Sequence, residues 1–344
     1  MDTETFYDFL APYVPDLQQG ILSGHEALDR ACSEGNQRLR LHLYRVRGHR
    51  AASIRILPSL ADLPEDGDSE WIQDMASLPN GLVLVTGPTG SGKTTLLARM
   101  ELEISKKRPV HILTLEDPVE YIIPSLCAMV HQREKMTDFS TFPQGIRESL
   151  REDPDVLVIG ELRDRETVRS ALMAAETGYL VLATLHSRRC WEAVARMVHA
   201  FPEGEQMEIR TILSSVLRSV SSQVLFHRQE ETVAVREILM VTSAISHLVR
   251  DGKYEQIRSY MHQSDGVMAP MDKRALNLSR RWPEEEQNEL LAVVQESFGK
   301  GDNLWDTMRI KRMESRGCVK ERFQQQAGRR QRSVFDGRGF YLYI

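Results

Sequence analysis

Leu82-Val-Leu-Val-Thr-Gly-Pro-Thr-Gly-Ser-Gly-Lys-Thr-Thr95 decides the reading of this 344-residue chain. Apolar residues in a row lead into a glycine-rich turn with the spacing G-x-x-x-x-G-K-[ST], the strand–loop–helix setting of a phosphate cradle. Gly87, Gly90 and Gly92 let the backbone bend and approach a polyphosphate, so that consecutive amides point at its oxygens. Pro88, Thr89, Ser91 and Thr95 complete the loop. Lys93 brings a mobile cation to the β- and γ-phosphates, and Thr94 offers a hydroxyl to Mg²⁺. A helix beginning near Thr94 adds the positive end of its dipole. The stretch Gly87 to Thr95 is therefore predicted to bind a nucleoside triphosphate.

Around this loop the chain reads as an α/β protein. Leu82–Thr86, Val110–Thr114, Val156–Ile159 and Leu180–Thr184 are short unbroken apolar runs, as expected of strands buried on both faces of a parallel sheet flanked by helices. Upstream, Leu39, Leu41 and Leu43 alternate with polar residues, a strand pattern, and Ala51 to Leu57 follows a turn at Gly48. Residues 1–62 are accordingly expected to form a small, shortened α+β domain. The breaker-rich segment Pro64-Glu-Asp-Gly-Asp-Ser69 marks a linker over 63–78, and 79–201 is expected to be the nucleotide-binding core. Beyond Pro202, Ile209, Ile212, Leu213, Val216, Leu217 and Val220 recur at helical spacing, so 202–283 is expected to be mainly helical. Residues 284–344 read as a basic, partly disordered tail.

Composition narrows the class. The net charge is −5, with 41% hydrophobic and 27% charged residues, as in an ordinary soluble globular protein. Ten Lys/Arg lie from Arg309 onward against Glu314, Glu321 and Asp336, which leaves the remainder at about −12. That acidic balance argues against a nucleic-acid partner. Cys32, Cys127, Cys190 and Cys318 form no C-x-x-C pair, which argues against zinc and fits a reducing compartment. No apolar run is long enough to span a bilayer. The acidic opening Met1-Asp-Thr-Glu-Thr5 does not fit a signal peptide, so the chain is expected to be cytoplasmic.

Asp155-Val-Leu-Val-Ile-Gly-Glu161 supplies a second motif, an apolar strand ending in a carboxylate. A phosphate-loop enzyme needs such a group near Mg²⁺ and the attacking water. Three further segments join it: Ile112-Leu-Thr-Leu-Glu-Asp-Pro-Val-Glu-Tyr121, Leu150-Arg-Glu-Asp-Pro154 leading into that strand and continuing to Leu162-Arg-Asp164, and Ala174-Ala-Glu-Thr-Gly-Tyr-Leu-Val-Leu-Ala-Thr-Leu-His186. Together these resemble the type II/IV secretion ATPase superfamily, and within it the pilus retraction ATPases, from about Arg38 to about Asp272.

The resemblance implies a RecA-like phosphate-loop core, Mg²⁺-dependent ATP hydrolysis and a homo-hexameric ring. The ring would act on an inner-membrane pilus or secretion platform, held peripherally at the inner face of the cell membrane. It implies Glu161 as the catalytic carboxylate, with Lys93 on phosphate. Glu116, Asp117 and Glu120 correspond to the acidic box, and Thr94, Glu120 and Glu161 to the groups nearest the metal. His186 would sense the γ-phosphate, and Arg40 and Arg55 would bring positive charge to the nucleotide. Ala244-Ile-Ser-His-Leu-Val-Arg-Asp251 resembles a retraction-branch motif. The chain departs from the family at Tyr179, where its histidine box usually begins with His, at Ser187-Arg188-Arg189 and in its short N-terminal domain. Those departures motivate two alternatives: a catalytically weak ATP-binding regulatory paralogue, or a DNA-transfer ATPase of the type IV secretion kind.

Overall fold

The computed structural model describes Leu10, residues 27–298 apart from Asn36, Pro64, 229–230 and 265–267, and Gly339–Tyr343. The chain divides into two compact units, Met1–Pro58 with Lys300–Ile344, and Ser59–Gly299.

The first unit contains an antiparallel sheet of β1 (Leu28–Glu34), β2 (Gln37–Val46) and β3 (His49–Leu57). Val46 pairs with His49, so Arg47-Gly48 is a two-residue hairpin loop, and both residues have positive φ, 51° and 85°. That conformation matches the right-handed twist of the flanking strands. The alternation of Leu41 and Leu43 buries both against Leu10, Ala52 and Ile54. A distant strand, β11 (Gly339–Tyr343), pairs antiparallel with β3. The strand lies within the segment expected to be a partly disordered tail.

The second unit holds a seven-stranded sheet. Its strands are β4 (Gly81–Thr86), β5 (His111–Glu116), β6 (Met129–Glu134), β7 (Val156–Ile159), β8 (Leu180–Leu185), β9 (Leu217–Arg228) and β10 (Glu231–Met240). The spatial order is β10-β9-β4-β8-β7-β5-β6, with every neighbouring pair parallel except β9 and β10. Successive side chains of a strand face opposite sides, and both sides are covered here. Leu82 and Leu84 enter one core cluster with Leu157, Ile159, Val181 and Ala183. Val83 and Val85 enter another with Leu96, Met100 and Ile104 of the helix Lys93–Lys107. Continuous apolar runs at β4, β5, β7 and β8 follow from this double burial, as the sequence predicts.

Three stretches differ from the sequence reading. The stripe from Ile209 to Val220 is helical only to Val216, in the helix Glu203–Val216, and then becomes β9. Residues 202–283 therefore carry two sheet strands as well as helices, because β9 pairs with β4 and extends the sheet past residue 201. The stretch taken as a linker contains the helix Ser69–Ala76, which buries Trp71, Ile72, Met75 and Ala76. Finally, Glu284–Phe298 is a helix that buries Leu290, Val294 and Phe298 against Phe226, Val235 and Met271. Among the described residues no helix is long and apolar enough to cross a membrane.

Candidate active site

Strand register places the functional residues side by side. Thr86 pairs with Leu185, Ile159 with Ala183, and Leu115 with Ile159. Residues following these strands, Gly87, His186, Glu161 and the acidic box after Glu116, therefore emerge at the same carboxyl edge of the sheet. That edge is where open parallel sheets bind ligands.

Gly87, Gly90 and Gly92 all have positive φ, at 143°, 78° and 83°, conformations that glycine adopts without steric cost. At Gly87 a side chain is also excluded by space, since a Cβ there would lie 2.5 Å from the Gln223 carbonyl oxygen. Gly92 caps the helix Lys93–Lys107, so the loop's last amides and Thr94 stand at a helix N-terminus. Lys93 Nζ donates to the carbonyls of Gly87 and Pro88, both at 3.0 Å. Burial draws its ammonium below the usual lysine range, opposed by the Glu161 carboxylate.

Lys93 Nζ also approaches His186 Nδ1 at 3.4 Å, while His186 Nε2 lies 3.0 Å from Glu161 Oε1. An ammonium only donates, so Nδ1 accepts and the imidazole proton sits on Nε2, directed at Glu161. Burial, then the Lys93 ammonium, hold the imidazole below its ordinary proton affinity, with Glu161 acting in the other direction. His186 is thus a neutral bridge between the Lys93 ammonium and the Glu161 carboxylate. Its position is fixed by the next residue: Ser187 N donates to Thr86 Oγ1 at 2.8 Å, and Thr86 Oγ1 donates to Ser187 O at 2.7 Å.

Glu161 accepts from Arg163 Nε at 2.6 Å on its other oxygen. Its backbone is held by Gly160, whose N–H donates to Leu115 O at 2.8 Å, and by the downstream helix Arg165–Glu176, capped by Asp164. Gly87, Pro88, Thr89, Glu161, Arg163, His186, Ser187 and Arg188 line an open cleft of about 450 Å³. Three cationic or imidazole groups around one carboxylate suit a polyphosphate.

The acidic box lies beside this cleft. Tyr121 links it to the loop, its hydroxyl 2.9 Å from Thr95 Oγ1. Glu120 is half-buried. Glu116, expected among the catalytic groups, is only 8% exposed and is not one of the cleft's lining residues. It accepts from Thr114 Oγ1 at 2.7 Å and Gln132 Nε2 at 3.0 Å. Burial pushes its carboxyl up to about 7, helped by Glu120 and Glu134 and opposed by those two hydrogen bonds. Arg40 and Arg55 belong to the other unit, where they are cross-strand partners on β2 and β3 and share one sheet face. Arg40 makes a two-point ion pair with Asp29, at 3.1 and 2.7 Å.

The departures at Tyr179, Arg188 and Arg189 now have places. Tyr179 precedes β8 at the edge opposite His186, roughly 20 Å away along the strand, and its carbonyl accepts from Gly81 N. Arg189 turns away from the cleft to Glu237 and the Phe298 carbonyl and ring. Arg188 alone of the three lines the cleft. Sequence reasoning missed the pairing of Arg163 with Glu161, although Arg163 stands inside the quoted motif. It also missed Tyr121 on Thr95.

The chain was compared with known proteins. The family described as Type II/IV secretion system protein matches residues 47–264. A curated uncharacterized protein YggR of Escherichia coli is 45% identical over 259 residues, 74% of this chain and 79% of that protein. A twitching motility protein of Neisseria gonorrhoeae is 41% identical over 249 residues, 71% of this chain and 66% of that one. Among solved structures, the pilus retraction motor PilT with bound ADP superposes with a TM-score of 0.70 at 34% identity, covering 79% of each chain. The Legionella pneumophila ATPase DotB gives 0.68 at 26% identity, covering 85% of this chain and 84% of its own. On a family match over most of the chain, and on relatives and a solved structure of the same fold, the chain belongs to the type II/IV secretion system ATPase family.

Proposed function

We propose that this chain is a Mg²⁺-dependent ATPase that works as a hexameric motor on a pilus or secretion platform at the inner face of the cell membrane. Pilus retraction, or a closely related transport step, is its task. The observation that carries the reading is that Glu161 and His186 line one cleft with Gly87, Pro88 and Thr89 of the phosphate loop, while Lys93 of that loop reaches His186. Likeness to PilT and to a twitching motility protein supports the choice of motor over other phosphate-loop enzymes.

Within that reading the loop amides and Lys93 hold the phosphates, and Glu161 orients and accepts a proton from the attacking water. Such a reaction proceeds by positioning and charge stabilisation rather than through a covalent enzyme intermediate. His186 keeps Glu161 aligned and registers movement of Lys93. Arg40 and Arg55 add positive charge during turnover.

The donors fit Mg²⁺. They are oxygens only, from Thr94, Glu120 and Glu161, and no group of three or more His, Cys, Asp or Glu is gathered into a metal cage among the described residues. Mg²⁺ typically binds through one or two carboxylates and substrate phosphates rather than such a cage, and when bound it neutralises charge developing on the phosphates.

The test is Glu161→Gln. ATP and ADP should bind with little change while phosphate release falls at least about 100-fold. Undiminished release would refute the assignment of Glu161.

A further inference from the structure

A buried polar chain runs from the back of the phosphate loop to the segment through which the polypeptide enters the second unit. Gln223 of β9 starts it, with 1% of its surface exposed. Its Nε2 donates to the Ser91 carbonyl at 2.6 Å, and its backbone carbonyl occupies the space that a side chain at Gly87 would need. Its Oε1 accepts from Arg236 Nε at 2.9 Å. Arg236, on β10 and 3% exposed, spreads its guanidinium over two carboxylates, reaching Asp66 Oδ2 at 2.8 Å and Asp68 Oδ2 at 3.0 Å. Arg99, from the helix that follows the loop, lies 3.6 Å from Asp66. Arg274 donates to Asp68 and, at 3.2 Å, to the Arg236 carbonyl.

None of these groups lines the cleft. Buried ion pairs bring little net stability, because desolvation offsets their attraction; their best-attested use is to fix one arrangement over others. Here the arrangement fixed is that of Gln223, whose side-chain amide donates to Ser91 and leaves little room beside Gly92, while its backbone carbonyl leaves none for a side chain at Gly87. A planar fork is required to hold both aspartates and Gln223 together, which Lys does not provide.

We infer that Asp66, Asp68 and Arg236 are positioning residues that set the phosphate loop's nucleotide-binding geometry through Gln223. The inference rests on the reading of that loop as the nucleotide site. It assigns a task to Asp66 and Asp68, in a segment whose composition reads as a simple linker.

The experiment uses the full chain and a fluorescent N-methylanthraniloyl-ADP with Mg²⁺. Failure of the unaltered protein to bind would refute the nucleotide reading itself. Given binding, Gln223→Glu keeps a partner for Arg236 but loses the donor to Ser91. Its Kd for the probe should rise about tenfold, the weight of one buried hydrogen bond, with the apparent Tm within about 3 °C of the parent. Asp66→Asn and Arg236→Lys should each raise Kd about as much, and Asp66→Asn combined with Gln223→Glu should be no worse than the weaker single variant, since both act along one chain of contacts. An unchanged Kd in Gln223→Glu, or losses that add in the double variant, would overturn the inference. If Asp66→Asn fails to fold, Arg236→Lys paired with Gln223→Glu decides the same question.

Discussion

His186 spans Lys93 and Glu161, with Nε2 on the carboxylate and Nδ1 toward the ammonium. Burial first, and then the repulsion that a protonated ring would meet from Lys93, hold the imidazole below its ordinary range. The acid limb of a kcat–pH profile governed by this group should therefore fall below pH 6.5, and His186→Gln should remove that limb along with most turnover. A limb that persists in the variant would refute the assignment. A second titration lies beneath the acidic box. Glu101 is fully buried and its carboxyl is raised well above the usual range, first by burial and then by Glu116, itself raised to about 7. For each, the folded state holds its proton more tightly than the unfolded chain does. The stability that Glu116 contributes is thus complete below about 4.5 and is lost as pH rises through about 7. Glu101→Gln removes one member of the pair, so its gain in apparent Tm should grow between pH 5 and 8, reaching about 5 °C at pH 8. A gain independent of pH would contradict this coupling. The meeting of Lys93, Glu161 and His186 was legible because each lies in a short motif at the end of an apolar strand. The burial of Glu116 was not, since it depends on Gln132 from β6, a strand whose Met129-Val-His-Gln-Arg-Glu134 shows little apolar pattern.

At the level of elements, the phosphate loop is shaped by β9 as much as by its own glycines. Gly87→Ala would drive a Cβ to 2.5 Å from the Gln223 carbonyl, whereas a Cβ at Gly90 meets nothing within 4 Å. Both sites carry positive φ, so each alanine costs about 1–2 kcal/mol of backbone strain. Only Gly87→Ala adds a backbone collision, and it should lower the apparent Tm clearly more than Gly90→Ala in differential scanning calorimetry. Equal losses would show that β9 yields freely. That strand was itself hidden in the sequence. Val216, Leu217 and Val220 fit helical spacing, and Ser219, Ser221 and Ser222 give the segment little strand character. Pairing with β4 and β10 overrides that local signal, and two of the buried serines find acceptors, Ser219 Oγ the Leu239 carbonyl at 2.9 Å and Ser222 Oγ the Arg188 carbonyl at 2.5 Å. Strands β4, β5, β7 and β8 were legible for the opposite reason, because burial on two faces leaves no polar alternation to read. The helix Glu284–Phe298 carried a usable sign in Leu290, Val294 and Phe298, four residues apart on one face. Reading 284–344 by its net charge concealed that sign.

For the whole molecule, the proposal of a ring makes turnover a property of the assembly rather than of the single chain. Arg40 and Arg55 stand opposite each other on β2 and β3, a like-charge pair that antiparallel strands disfavour. Asp29 neutralises Arg40, while Arg55 is exposed. An arrangement that costs stability fits a role in handling phosphate charge, and the Glu161→Gln chain provides a probe of whether that role is exercised cooperatively. Mixed with unaltered chains, it should still bind nucleotide and enter the same rings. If each ring needs its members to fire in concert, phosphate release should fall faster than the fraction of unaltered chains, so that an equimolar mixture retains well under half of the activity. Independent chains would instead lose activity in strict proportion. The same mixture made with Arg55→Ala chains separates cooperation from charge supply: release should fall while probe binding per chain stays constant, because Arg55 lies outside the loop that holds the phosphates. Proportional loss in both mixtures, with a single species of one chain in sedimentation velocity, would dismiss the ring and leave an ATPase that works alone.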